Sequence, residues 1–191
     1  MPALSFTAFT GPHRLAGGAI LDVALAVKAA LAMDPEAPVL TFNDATGAVV
    51  DLDLRGGRDE IAARLDERFP QGPDEMESEA PRGPGRPKLG VIAREVTLLP
   101  RHWEWLGTQR GGASHALRRL VDDARRADQG ASEASARRDA AYRFMSAMAG
   151  NLSGFEEASR ALFAGDAARF GEQSASWPED IRDHVQKLAW G

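Results

Sequence analysis

Four histidines, His13, His102, His115 and His184, are the residues of this sequence best suited to carry protons or bind metal. None of them stands at a spacing that would place two imidazoles on one helical face. The chain contains no cysteine, which excludes thiolate zinc sites, iron–sulfur clusters and disulfide frameworks and agrees with a reducing cytoplasm. Asp51 and Asp53 lie two apart in an alternating stretch. In an extended chain they project the same way, and together they could hold a divalent cation. A metal-dependent enzyme built on Asp51, Asp53 and a histidine is therefore one reading. No phosphate-cradling loop, dinucleotide fingerprint or nucleophile elbow accompanies these residues, and no spacing joins serine, histidine and aspartate. The sequence assigns no catalytic residue, no metal ligand and no cofactor.

What the sequence does concentrate is positive charge. The net charge is −5 over 191 residues, but residues 82–126 carry ten Lys/Arg against four Asp/Glu, between two acidic stretches. Such asymmetry is the electrostatic footprint of a polyanion partner, and duplex DNA is the expected one. The readers expected within this block are Arg82, Arg86, Lys88, Arg94, Arg118 and Arg119. An acidic neighbour pairing with the basic surface is the competing account.

The elements that must position these residues follow from periodicity. Residues 1–70 read as a small α+β domain with antiparallel strands. Strands are expected at Ser5–Thr10, His13–Leu15, Val39–Phe42 and Val49–Leu54, with a turn at Asn43–Gly47. Helices are expected at Ile20–Met33, apolar nearly all round and so covered on most sides, and at Arg58–Phe69 with Ile61, Leu65 and Phe69 on one face. Residues 71–88, rich in proline, glycine and acids, read as a flexible linker.

Residues 89–127 form a strand-helix-helix unit. Arg94–Leu99 is the strand, Arg101–Gln109 opens at Pro100, and His115–Arg126 is capped by Ser114. On the second helix Leu117, Leu120, Val121 and Ala124 make an apolar stripe, with Arg118, Arg119, Arg125 and Arg126 off it. Trp103 and Trp105, two apart, cannot share one helical face; one is expected in the core and the other at an interface. Residues 131–191 read as a helical C-terminal region. Ala140, Ala141, Phe144, Met145 and Met148 form a stripe there, Ser153 caps the next helix, and Pro178 opens the last. The overall class is α+β. No apolar run reaches the length of a membrane span and no secretory signal opens the chain, so a cytoplasmic protein is expected.

Three resemblances add to this. Gly85-Arg86-Pro87 with flanking basic residues resembles the core of an AT-hook, in which an extended strip lays arginine into a narrow minor groove; here Pro84 occupies the place of the preceding arginine. The strand-helix-helix order resembles the ribbon-helix-helix family of DNA-binding proteins. That resemblance implies an obligate homodimer whose paired strands enter the major groove. It implies a phosphate clamp at Gly112, Ala113 and Ser114, and groove-facing positions at Arg94, Val96 and Leu98. Val96 and Leu98 are apolar where that family has polar readers, so contacts to the DNA backbone, and low sequence specificity, are expected. The same residues also fit a helix-turn-helix, with Arg101–Gln109 followed by His115–Arg126 as recognition helix. A module that binds a protein partner through its Trp/Met-bearing C-terminal helices, without enzymatic activity, is the remaining alternative. Across the whole chain, the strings Gly85–Val91, Leu98–Trp103, Asp51–Gly56, Ala141–Met145 and Gly154–Glu157 resemble a bacterial family designated a domain of unknown function. That likeness implies bacterial origin and no assigned activity.

Overall fold

The computed structural model describes residues 4–70 and 94–191. The linker assigned to residues 71–88, and the first residues of the central unit, lie outside the described residues. The chain folds as two compact units. One is made of residues 1–72 together with 132–191, and the other is Pro73–Ala131.

The first unit is built on a three-stranded antiparallel sheet in the order β2-β1-β3, with β1 at Phe6–Thr10, β2 at His13–Gly18 and β3 at Val39–Asn43. β1 is the central strand and is buried on both faces, which its run of Phe6, Thr7, Ala8 and Phe9 anticipates. Phe6 and Ala8 face helix α1 (Ile20–Met33) and helix α2 (Arg58–Arg68). There Val23, Ala24, Val27, Ile61 and Leu65 complete one core. α1 buries only one side, and Met33 is almost fully exposed. Its apolar composition overstates its cover because short alanine side chains lose little by facing water.

Phe9 and Phe42 project from the other face of the sheet into helices contributed by the C-terminal third. These are α5 (Ala131–Ala149), α6 (Phe155–Ala164), α7 (Ala167–Gln173) and α8 (Glu179–Trp190). Phe144 of α5 packs at 5.2 Å from Phe9 and 4.7 Å from Phe42, ring centre to ring centre. Met145, Leu162, Phe170, Trp177, Ile181 and Val185 extend this second core. Residues 4–70 and 132–191, separate stretches along the sequence, thus share one core. The fold class is α+β.

Gly47, the glycine of the β3 turn, has φ +67°, and its α-carbon lies so close to α5 that a methyl group there would fall 1.9 Å from the Ala140 carbonyl oxygen. Only glycine fits both conditions.

Three local expectations are corrected in this unit. Val49–Leu54 is not a strand. Val49 makes one isolated bridge to Phe42, and the Val50 N–H donates to the Thr41 carbonyl at 2.7 Å. Beyond that point the carbonyls of Asp51, Asp53 and Arg55 accept from Arg68 and Arg64, and that of Gly56 from Lys28. Side chains take the place of a neighbouring strand, so alternation persists without a ladder. Ser153 does not cap α6. Gly154, at φ +82°, precedes the helix, and the Ser153 carbonyl accepts the Trp177 indole N–H at 2.8 Å. Pro178 stands one position earlier than expected, as the N-cap of α8. Asp166 caps α7, a short helix the periodicity did not suggest, by accepting the Arg169 N–H at 3.0 Å.

In the second unit, helix α3 (Pro100–Gly107) and helix α4 (Gly112–Asp128) form a hairpin joined by a turn at residues 108–111. Pro100 sits in the first turn of α3, where its missing N–H costs nothing. Gly111 and Gly112 both take positive φ, +90° and +77°, and reverse the chain. Residues 94–99 are assigned to no helix or strand, and no strand pairs with them among the described residues.

Candidate nucleic-acid interface

α4 carries the chemistry of the second unit. Over its 17 residues, Ala113, Ala116, Leu117, Leu120, Val121 and Ala124 fall on one arc. Arg118 and Arg125, and likewise Arg119 and Arg126, stand seven apart on the opposite arc. All four arginines are exposed. Arg126 reaches Asp123 at 2.6 Å, and the Arg118 guanidinium donates to the Ser114 carbonyl at 3.1 Å. Arg119 and Arg125 make no salt bridge among the described residues. Arg125, Arg126 and Asp122 line a shallow depression on this face. The sequence had placed Arg125 and Arg126 off the apolar stripe without counting them among the readers; their seven-residue spacing from Arg118 and Arg119 was the available signal.

The start of α4 differs from expectation. Ser114 lies inside the helix, not at its cap. The N-cap is Gly111, which has no side chain to offer. The Gly112 N–H donates to the Gln109 carbonyl at 3.0 Å, which leaves Ala113 and Ser114 as the first-turn N–H groups pointing out of the helix. Of the other residues expected at the interface, Arg94 and Val96 are exposed on the extended approach to α3, and Leu98 is half-buried. Arg82, Arg86 and Lys88, with the hook-like string, lie outside the described residues.

The apolar arc of α4 is only partly covered. Leu106 and Ala116 are the buried residues that α3 and α4 contribute. Val96, Leu99, Trp103, Trp105, Leu120 and Val121 are all between 41% and 55% exposed. The expectation that one tryptophan is core is therefore corrected: both indoles are half open, and Leu106 takes the inward position instead. At about 1.5 Å per residue the eight-residue α3 covers roughly 12 Å, about half the length of α4, so the far half of the stripe has no cover from the hairpin itself.

At the alternative centre of Asp51 and Asp53, the Asp53 carboxylate is already engaged. Asp53 accepts two hydrogen bonds from the Arg55 side chain, at 2.9 and 2.7 Å, and faces Arg64 at 3.5 Å. The hydrogen bonds from Arg55 hold the Asp53 carboxyl well below the usual carboxylate range. A cation would have to displace two arginines. Among the described residues, no three histidine, aspartate or glutamate side chains converge as a metal site would require. His13 pairs with Asp180 at 3.8 Å, His102 and His115 are exposed, and His184 is buried.

Together these features define an α+β protein whose core is made from the two ends of the sequence, with a basic helical hairpin interposed between them. Residues 5–189 match the family described as an uncharacterized protein conserved in bacteria (DUF2239). The chain belongs to that family. No curated protein and no solved structure is detectably similar to it. Among the described residues no helix is long and apolar enough to cross a membrane.

Proposed function

We propose that this protein binds duplex DNA as a homodimer, with low sequence specificity, through the arginine face of α4. The observation that carries the reading is the division of α4 into four exposed arginines on one side and an apolar stripe on the other. Arginines at seven-residue spacing meet phosphates along a groove, whereas base reading needs polar groups aimed at base edges. The open N–H groups of Ala113 and Ser114 suit a phosphate at the start of the same helix.

The half-open stripe supports the dimer. Among the described residues the hairpin buries only Leu106 and Ala116, and the chain has no cysteine to staple it, so a second copy would add the core it lacks. A second copy would pair residues 94–99 into a ribbon. In a helix-turn-helix arrangement the same copy would contact only the helices. A cytoplasmic location fits the cysteine-free sequence. The exposed Trp103 and Trp105 favour one further reading, a protein-binding module, whose complex would survive high salt.

The test is anisotropy of labelled random and A/T-rich duplexes with the purified chain over a range of salt. Binding should weaken steeply with salt, and Arg118→Gln with Arg119→Gln should reduce the slope of log affinity against log salt by about 2. Removing residues 71–88 should lower affinity for the A/T-rich duplex if the hook-like string contributes. No binding at low salt overturns the proposal.

A further inference from the structure

The turn after β3 and the last helix meet around a buried polar group that the proposed DNA contact does not use. His184 of α8 is 3% exposed. Its ring packs edge-on against Phe144 at 4.5 Å and Phe9 at 5.4 Å. Neither ring nitrogen has a hydrogen-bond partner, and the nearest anion is the Asp44 carboxylate, with Nε2 3.5 Å from Oδ1. Asp44 is already in demand. Its Oδ2 accepts from Ser5 at 2.9 Å and Thr7 at 3.1 Å and faces Lys187 at 3.8 Å, while Oδ1 makes no hydrogen bond.

The surrounding charges come from every side. β2 contributes Arg14, whose backbone N–H donates to Asp180, and His13, which pairs with the same carboxylate. α8 contributes Lys187 and Asp180. α5 contributes the Phe144 ring, and its Arg143 donates to the Thr46 carbonyl. A neutral imidazole has one N–H, which Asp44 Oδ1 can take. A charged one has two, and the second would face aromatic carbon with no acceptor.

We propose that His184 is a proton-sensitive latch: neutral, it seats α8 on the sheet, and protonated, it releases α8 from Phe9, Phe144 and Asp44. Burial pushes the His184 imidazole down to about 4, with Asp44 opposing and Lys187 and Arg14 assisting. Because the unfolded or undocked histidine takes up its proton near pH 6.5 and the seated one only near pH 4, the latch is fully closed above about pH 6.5. It loosens as pH falls and loses nothing more below about 4. Each pH unit in that window favours the open form about tenfold, on the order of 100-fold in all.

The experiment is hydrogen exchange of the full chain at pH 7 and pH 5, corrected for intrinsic rates. The α8 amides should open at least tenfold more often at pH 5, while those of α1 change less, and His184→Phe should abolish the difference. Should that variant fail to fold, the His184 ring can be titrated by NMR in the unaltered chain. A ring that stays neutral below pH 5 supports the latch. Titration near pH 6.5, or α8 opening that ignores pH, overturns it.

Discussion

Replacing Gly47 by alanine should destabilise the first unit far more than loss of a surface glycine can explain. The added methyl would sit 1.9 Å from the Ala140 carbonyl oxygen and 2.7 Å from its carbon, both backbone atoms of α5 that no rotamer change can move aside. Relief requires the turn and α5 to separate by more than 1 Å, which opens the contact between Phe42 and Phe144. Alanine at φ +67° costs about 1–2 kcal/mol for its left-handed backbone alone. Forcing extra atoms into a packed interior adds about 1–3 kcal/mol. The expected total is about 2–5 kcal/mol. Gly11→Ala is the matched control in the same unit. It also has positive φ, +53°, but nothing lies within 4 Å of the new methyl, so only the same backbone cost of about 1–2 kcal/mol should appear. Urea unfolding of the three proteins, compared at their midpoints, measures the difference directly. If Gly47→Ala falls within 0.5 kcal/mol of Gly11→Ala, the argument that the turn is locked against α5 is wrong, because additivity errors are about that size.

Further outcomes follow from the same contacts. Phe144→Ala, which removes a fully buried ring touching Phe9, Phe42 and His184, should cost about 3–5 kcal/mol in the same urea assay. Leu120→Glu, placed in the middle of the uncovered α4 stripe, should convert a dimer to a monomer by light scattering. It should weaken DNA binding while leaving the thermal transition of the first unit in place; a parent chain that is already monomeric removes the dimer from the proposal.

How far the sequence could be read depended on whether a residue's partner was close along the chain. The bounds of α1 and the positions of β1, β3, α2 and the Asn43–Gly47 turn were legible because proline, glycine and local periodicity set them. Val49–Leu54 was misjudged as a strand. Alternation states which side chains share a face, but a strand exists only where a neighbour supplies the ladder. At Val49–Leu54 arginine side chains supplied the hydrogen bonds instead, and Arg94–Leu99 has no partner strand among the described residues. The arginine face of α4 was visible from spacing because a helix brings seven-residue neighbours together. The Asp44–His184 contact was not, since 140 residues separate its members and no motif links them. Trp103 and Trp105 misled because large apolar residues were assumed to claim the interior, when the hairpin has too little interior to hold either.

The sharing of one core between the two ends of the sequence bears on how this chain is made. As the protein leaves the ribosome, β1, β2, β3, α1 and α2 emerge before α5 to α8 and can assemble one face of the sheet. Phe9 and Phe42 on the opposite face must then wait, unshielded, while the whole of Pro73–Ala131 is synthesised and until α5 to α8 follow. The nascent chain therefore carries an apolar surface until those helices follow. Its final docking step closes a long loop, which slows folding more than it weakens the product. A stop codon that removes α8 would leave that waiting surface permanently open.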